Sequence, residues 1–167
     1  MTKKKLLENI DTLYKSNKPH TNPLLNEAAI QSLHRLCCPH EHAGTYRKTS
    51  ATPLGIGHLP PVPEEIDHFM HHFMNQMMTS HIMFHPVEFA IIAYKRLLDI
   101  FPFESHNEET AVLFMNLLLA QSGYPIIDDP SGLEGYEEAM EQARTMPFPD
   151  TDPLVKLVAE NLIKEDI

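Results

Sequence analysis

FPFESHNEETAVLFMNLLLA, residues 101–120, is the stretch of sequence that decides the fold. Apolar residues in its second half recur at the spacing of a helix with one buried face: Ala111, Leu113, Phe114, Leu117, Leu118 and Ala120. Its first half is a proline-containing loop with three acids, Glu104, Glu108 and Glu109. The pattern predicts a buried helix that begins at an acidic loop.

The start of this helix has the form of a capping box. Ser105 is followed three residues later by Glu108. At this spacing a serine hydroxyl accepts a hydrogen bond from the third helical N–H, and the glutamate reaches back to the serine N–H. The capping box would place His106 and Asn107 in the first turn of the helix.

Upstream of the stretch, one helical pattern follows another. Asn26 predicts an N-cap for the run EAAIQSLHRLC, which Pro39 stops. Pro63, followed by two acids, predicts the first turn of a helix that runs to about Thr79. Pro86 opens the next helix, through FAIIAYKRLLDI. The N-terminus predicts an amphipathic helix with these residues on its apolar face: Leu6, Leu7, Ile10 and Leu13.

Downstream, Gly123 is the predicted C-cap of the quoted helix. A further helix is predicted from Ser131 to Thr145, and the last helix begins at Asp152.

The predicted fold class is all-α, a bundle of about seven helices with one short β-hairpin. The glycines and prolines of TPLGIGHLPP exclude a long helix there and predict the hairpin around Thr49 to Gly57. Residues 1–25 are predicted to form an N-terminal helical extension, and residues 26–167 the main domain.

Composition narrows the possible functions. A chain of 167 residues that is 43% hydrophobic suffices for one domain with a core, and no apolar run or N-terminal pattern predicts a membrane span or a secretory signal. A net charge of −10 argues against a nucleic-acid surface; it is compatible with a basic protein partner, and solubility alone explains it as well. The only cysteines, Cys37 and Cys38, are adjacent, which favours a reducing compartment, the cytoplasm.

Histidines are frequent, but their pattern favours a helix surface over a metal site. One group is His68, His71 and His72, and a second pair is His81 and His85. Apolar residues alternate with the first group, and no carboxylate completes a pattern such as H-E-x-x-H. The cluster from Cys37 to His42 has no second set of ligands to pair with. We therefore expect neither a metal nor a cofactor.

The segment from His85 to Pro125 resembles the core of a Fic domain, a fold of enzymes that transfer AMP to proteins. The family core reads H-P-F-x-[D/E]-G-N-G-R-x-x-R, followed by an apolar helix that often contains MNLLL and ends at G-Y-P. Gly44, Tyr46 and Arg47 match the G-x-Y-R that leads into the family's flap hairpin. Tyr136 to Leu162 resembles its closing helices, so the resemblance covers most of the chain from Gly44 onward.

The resemblance implies an active site whose chemical groups are missing here. Phe101 stands where the family histidine takes the proton from the target hydroxyl, and Ser105 replaces the acid that holds magnesium. The two glycines that bare the backbone to phosphate are His106 and Glu108. Glu109 reverses the charge of the first arginine.

Few motif residues are left. The second arginine of the motif is Val112, and the residues that remain are Pro102, Phe103 and Asn107. In the preceding helix Tyr94 stands where the family commonly has a histidine.

Charge agrees with the loss of the motif. A helix N-terminus attracts phosphate through free N–H groups and about half a positive charge. Glu108 and Glu109 supply negative charge in that first turn. Two unit charges of the same sign 4 Å apart repel by about 4 kcal/mol at an effective dielectric constant near 20. The acidic loop is therefore predicted to exclude phosphate.

Two other interpretations of the loop stay open. His106 with Glu109 could form the acid–base pair of a hydrolase, and Glu104 could bind a cation. Glu160-Asn161 resembles the end of the [S/T]-x-x-x-E-[G/N] inhibitory motif of some Fic proteins, but Lys156 replaces its Ser or Thr.

These observations favour a degenerate Fic-domain protein, not an AMP transferase, that acts as a protein-binding or regulatory pseudoenzyme. The alternative is an active nucleotidyl- or related phosphate-group transferase with a diverged motif. A protein partner is expected, with no nucleic acid and no membrane, and export into a host cell stays open. The predicted partner-binding residues lie in the flap: Thr49, Thr52, Leu54 and Ile56.

Overall fold

A computed structural model describes residues 1–14, 26–52 and 58–164. Its seven α-helices, as many as the sequence predicts, are α1 Lys3–Tyr14, α2 Glu27–Cys37, α3 Ile66–Ser80, α4 Pro86–Ile100, α5 Asn107–Gln121, α6 Tyr136–Arg144 and α7 Asp152–Lys164. Single 3-10 turns lie at Pro63–Glu65, His81–Met83 and Pro130–Gly132. The predicted all-α class is confirmed.

The predicted hairpin around Thr49 to Gly57 falls partly outside the described residues, as do its members Leu54 and Ile56. Within the described part of the chain there is no strand, and strand-like pairing is limited to one isolated antiparallel bridge between Tyr46 and Phe103. Residues 15–25 are also outside the description, so the predicted domain boundary at residue 25 stays a prediction.

The core lies between α4 and α5. These two helices pack against each other, α2 covers α5, and α7 packs on α4, α6 and α1. The largest fully buried side chains include Tyr94 on α4, Phe114 on α5 and Phe73 on α3. Because α4 and α5 are both buried, the short loop that joins them is held on a rigid frame.

Sequence signals set several helix ends as expected. Asn26 caps α2 by accepting a hydrogen bond from the Ala29 N–H at 2.7 Å. Pro86 occupies the first turn of α4, where its missing N–H costs nothing. Gly123 follows α5 with a φ of 86°, a left-handed conformation that favours glycine.

Three local predictions were wrong. The capping box does not form, because α5 begins at Asn107 and its N-cap is His106, which makes no side-chain cap. The helix predicted from Ser131 to Thr145 is reduced to a 3-10 turn and a short α6, since Gly135 has a φ of 88° and interrupts it. Leu13 is 47% exposed, unlike its buried neighbours in α1.

Among the helices of the described residues, none combines the length and the apolar composition needed to cross a membrane.

Candidate functional site

The loop of residues 101–106, here called the motif loop, turns sharply between the two central helices. Phe101 closes α4 with a φ of 51°, and its N–H donates to the Leu97 carbonyl at 3.1 Å. His106 precedes α5 with a φ of 60°. Both residues adopt the left-handed conformation, which costs about 1–2 kcal/mol for a residue with a Cβ. Position 106 is one where the Fic motif has glycine, a residue that adopts this conformation without strain.

Asn107 closes the motif loop from inside. It is buried, its Oδ1 accepts from the Phe103 N–H at 2.8 Å, and its Nδ2 donates to the Phe103 carbonyl at 2.8 Å. The Thr110 hydroxyl and N–H both donate to the His106 carbonyl. These bonds start the helix one residue later than the capping box would, which is why Ser105 has no capping role.

Arg47 fastens the motif loop to the base of the flap. Its side chain is buried, and its Nε donates to the Phe101 carbonyl at 2.6 Å. Its Nη1 donates to the Thr49 carbonyl at 2.9 Å and its Nη2 to the Pro61 carbonyl at 2.5 Å. One guanidinium therefore holds both ends of the flap segment and the end of α4 together.

Glu104 adds a second connection to the same segment. Its Oε1 accepts from the Lys48 N–H at 2.8 Å and its Oε2 from the Thr49 hydroxyl at 2.6 Å. These hydrogen bonds, chiefly the one from Thr49, hold the pKa of the Glu104 carboxyl below its usual value. Both oxygens are engaged by the protein itself, which weakens the interpretation of Glu104 as a cation ligand.

His34 supports the loop from α2. Its Nδ1 accepts from the Gly44 N–H at 2.8 Å, so its Nε2 carries the proton that is donated to the Ser105 carbonyl at 2.9 Å. The ring stacks on Phe103 with centroids 3.8 Å apart. Burial lowers the pKa of this imidazole, which is therefore held neutral.

A cleft of about 440 Å³ opens beside the motif loop, between α4 and α6. Phe101 and Glu108 line it from the motif side. Its apolar part includes Leu98 and Met140, and the hydroxyls of Tyr94 and Tyr136 are hydrogen-bonded to each other at 2.8 Å. The cleft thus combines an apolar and aromatic lining with charged side chains.

The charged lining of the cleft is unbalanced. Three exposed carboxylates contribute to it, Glu108, Glu137 and Glu141. One cation, Arg144, also lines it and pairs with Asp99, a carboxylate that Lys95 shares, each at 2.6 Å. In the described parts of the chain no ion pair engages the three glutamates. The cleft therefore presents a net negative charge.

Among the motif residues that the structure describes, His106 and Glu109 are not paired with each other. His106 is hydrogen-bonded to the Ser105 hydroxyl at 2.9 Å, and among the described residues it makes no ion pair with Glu109. Glu109 raises the pKa of the nearby Cys37 thiol, although burial is the larger cause. Val112 packs against the core. The acid–base pair considered for this loop is not formed.

Of the predicted flap residues, the structure describes Thr49 and Thr52. The Thr49 hydroxyl donates to Glu104 and the Thr49 carbonyl accepts from Arg47, whereas Thr52 is exposed.

The histidines His68 and His72 stack on the exposed face of α3, with ring centroids 6.4 Å apart. Within the described residues, no group of three His, Cys, Asp or Glu side chains is placed to hold a metal ion.

Sequence reasoning missed the roles of two anchors. Arg47 was noted only as part of a matching G-x-Y-R, although a buried arginine is unusual enough to signal a role. His34 was not singled out, yet its position four residues after Ile30 puts it on the buried face of α2. The helical phase of His34 was the available signal.

Comparison with known proteins finds a matching family model and related sequences. The model of the Fic/DOC family matches residues 24–119. The chain is 33% identical over 135 residues to a protein adenylyltransferase Fic of Nematostella vectensis, covering 78% of this chain and 30% of that protein. The corresponding protein of Aedes aegypti is 31% identical over 144 residues, covering 83% and 28%. The chain thus spans under a third of the length of these relatives.

Solved structures share the fold. A Fic domain containing signaling protein from Bacteroides thetaiotaomicron has a TM-score of 0.69 at 24% identity, over 97% of this chain and 67% of that one. Fic-1 from C. elegans has a TM-score of 0.69 at 22% identity, over 98% and 48%.

Proposed function

The chain belongs to the Fic/DOC family, and from this premise we propose that it is a degenerate member that lacks AMP-transferase activity and acts by binding another protein. The motif loop supports this proposal because side chains of the protein hold its shape while the catalytic groups of the family are missing. Asn107 and Arg47 hold the loop in shape, while none of the groups that the family uses on a nucleotide stands at its position.

The observation that carries the proposal is that Phe101 and Glu108 both line the cleft. Phe101 occupies the place of the catalytic histidine, and a phenyl ring has no group that accepts a proton. Glu108 occupies the place of a glycine whose exposed N–H would face phosphate. A side chain with a negative charge at that point removes both the space and the favourable field.

Family membership favours the alternative, an active transferase, because the relatives carry the name adenylyltransferase. Their name describes those proteins, which are more than three times as long as the aligned part. AMP transfer requires that the protein hold the phosphate in a fixed geometry before a base can act. A measurement of nucleotide binding therefore tests the proposal.

Isothermal titration calorimetry of the intact protein with ATP and magnesium tests the proposal. We expect a dissociation constant no tighter than about 1 mM, since the anion site carries acids. A variant with Glu108→Gly and Glu109→Arg serves as the matched control, because it changes only the charge and shape of the first turn of α5. A micromolar dissociation constant for the unchanged protein would contradict the proposal and favour an active transferase with a diverged motif.

A further inference from the structure

We propose that the cleft beside the motif loop binds a basic side chain, lysine or arginine, carried by an exposed segment of the partner protein. The inference rests on the proposed function, since it gives the cleft an occupant that replaces nucleotide. It names the chemistry of the partner, a basic segment, from the shape, lining and charge of the cleft.

The size of the cleft suits one long side chain with part of its backbone. Its volume of about 440 Å³ lies in the range of sites that bind small ligands. The lining by Leu98, Met140 and the Phe101 ring offers apolar contact to the methylene stem of a lysine or an arginine. A purely polar ligand would gain nothing from this part of the cleft.

The aromatic part of the lining favours a cation at the end of that stem. Tyr136 lines the cleft and is only half-buried, and a guanidinium or ammonium group is attracted to the face of such a ring. The Tyr136 hydroxyl is hydrogen-bonded to that of the buried Tyr94 and keeps a lone pair that can accept a hydrogen bond from the cation.

Charge complementarity fixes the sign of the occupant. The three carboxylates of Glu108, Glu137 and Glu141 outnumber the one cation of the lining, Arg144, whose partner Asp99 is shared with Lys95. The whole chain carries a net charge of −10, which attracts a basic partner over a longer range. An anionic ligand would meet repulsion both at the cleft and on approach.

A neighbouring apolar surface argues for a protein segment over a free small amine. Met146 and Phe148 are 76% and 87% exposed in the loop that follows α6. The Asp150 N–H donates to the Gln142 carbonyl at 2.9 Å, which returns this loop to α6 beside Arg144. Large exposed apolar side chains next to a cleft mark a binding surface wider than one small molecule. The occupant is therefore expected to extend beyond the cleft.

The test measures fluorescence anisotropy of a labelled hexapeptide with two central arginines flanked by leucines, at about physiological salt so that weak surface attraction is screened. The chain is compared with two triple variants that change net charge equally. One neutralises the cleft with Glu108→Gln, Glu137→Gln and Glu141→Gln. The matched control neutralises three exposed acids that do not line the cleft, with Glu64→Gln, Glu65→Gln and Asp67→Asn.

We expect the cleft variant to bind the peptide at least tenfold more weakly and the control variant to stay within twofold of the unchanged chain. An equal loss in both variants, or no loss in either, would overturn the inference. Binding of free arginine amide or spermidine as tight as that of the peptide would overturn the choice of a protein segment. Thermal melting of both variants checks that they fold. We expect them to fold, because the six substituted acids make no ion pair with any described residue.

A parallel titration of the unchanged chain with ATP and magnesium separates the two proposals. Tight ATP binding with no peptide binding refutes both. Absence of ATP binding together with absence of peptide binding refutes only the basic occupant and leaves the degenerate active site standing.

Discussion

The side chain of Asn107 pairs with the backbone of Phe103 through two hydrogen bonds of 2.8 Å, one accepted and one donated. A backbone segment that is paired in this way cannot open without leaving two polar groups buried and unpaired. The motif loop is therefore closed by one residue of the Fic motif that this chain has kept. The stability of the loop and its capacity for AMP transfer can be tested with separate variants.

Asn107→Ala should lower the free energy of unfolding by about 2–4 kcal/mol, because the N–H and the carbonyl of Phe103 each lose a buried partner. Chemical denaturation measures the change. Ser105→Ala should change it by less than about 0.5 kcal/mol, since the Ser105 hydroxyl is exposed and caps no helix. A large loss for Ser105→Ala would revive the capping box.

Asn116 provides a matched control for this prediction. It pairs with the N–H and carbonyl of Ile127 in the same way, at 3.0 and 2.9 Å, but from the C-terminal half of α5. Asn116→Ala should also destabilise the protein. Only Asn107→Ala should change the exchange rates of the amides in the motif loop, measured by hydrogen exchange.

His106→Gly should be more stable than His106→Ala by about 1 kcal/mol. Both variants lose the imidazole and its bond to Ser105, but only alanine keeps a Cβ at a φ of 60°. Thermal or chemical denaturation of the pair gives the difference directly. Equal stability, or a more stable alanine variant, would show that position 106 leaves the left-handed region.

The helices could be predicted from the sequence because their signals are local. Apolar periodicity marks α4 and α5, and Asn26 and Pro86 mark helix starts with groups that act within one turn. The start of α5 could not be predicted in this way. Ser105 and Glu108 have the spacing of a capping box, but a long-range frame that includes His34 and Arg47 sets the path of the loop.

The candidate site shows the same division. The motif positions, including Phe101 and Glu108, were found from a resemblance to a pattern. The cleft that these two residues line is formed with α6, and Glu137 and Glu141 reach it only through tertiary packing. No local rule connects residues that distant in sequence, so the acidic lining of the cleft became visible only in the structure.

Arg47→Met should lower the free energy of unfolding by at least about 3 kcal/mol, because the carbonyls of Phe101, Thr49 and Pro61 lose their donors in a buried place. Arg47→Lys should restore only part of this loss, since an ammonium group cannot reproduce the planar fork. The exposed Arg35→Lys is the matched control and should be close to neutral.

Because of His34, the free energy of unfolding should decrease as the pH falls below 6.5, the ordinary pKa of histidine. Its pKa is lowered in the folded state, so below 6.5 the unfolded chain binds the proton more readily. The contribution is complete above pH 6.5 and is lost as the pH falls toward the folded pKa, with a slope of at most about 1.4 kcal/mol per pH unit. Denaturation of wild type and His34→Gln between pH 7.5 and pH 5, in steps of about half a unit, measures it.

The His34→Gln variant isolates this contribution from those of other groups. A glutamine can accept from Gly44 and donate to Ser105, yet it does not titrate in this range. The two proteins should therefore differ in pH slope. Parallel stability curves would contradict the assignment of His34 as a neutral anchor.

Phe101→His should not create AMP-transferase activity. The new imidazole would stand at the position of the family base, but a base promotes transfer only when the phosphate is held in line with it. Glu108, which lines the cleft, opposes that binding through its charge. The measurement is transfer of label from ATP to a permissive target protein and to the chain itself.

A variant with the whole motif restored shows whether the assay can detect transfer on this frame. It combines Phe101→His with Ser105→Asp, His106→Gly, Glu108→Gly, Glu109→Arg and Val112→Arg, and melting must show that it folds, since Val112 packs on the core. If the frame is intact, restoring base, metal acid and phosphate contacts together should yield labelling that no single change gives. Labelling by Phe101→His alone would mean that the loop still holds phosphate and that Glu108 and Glu109 do not prevent nucleotide binding.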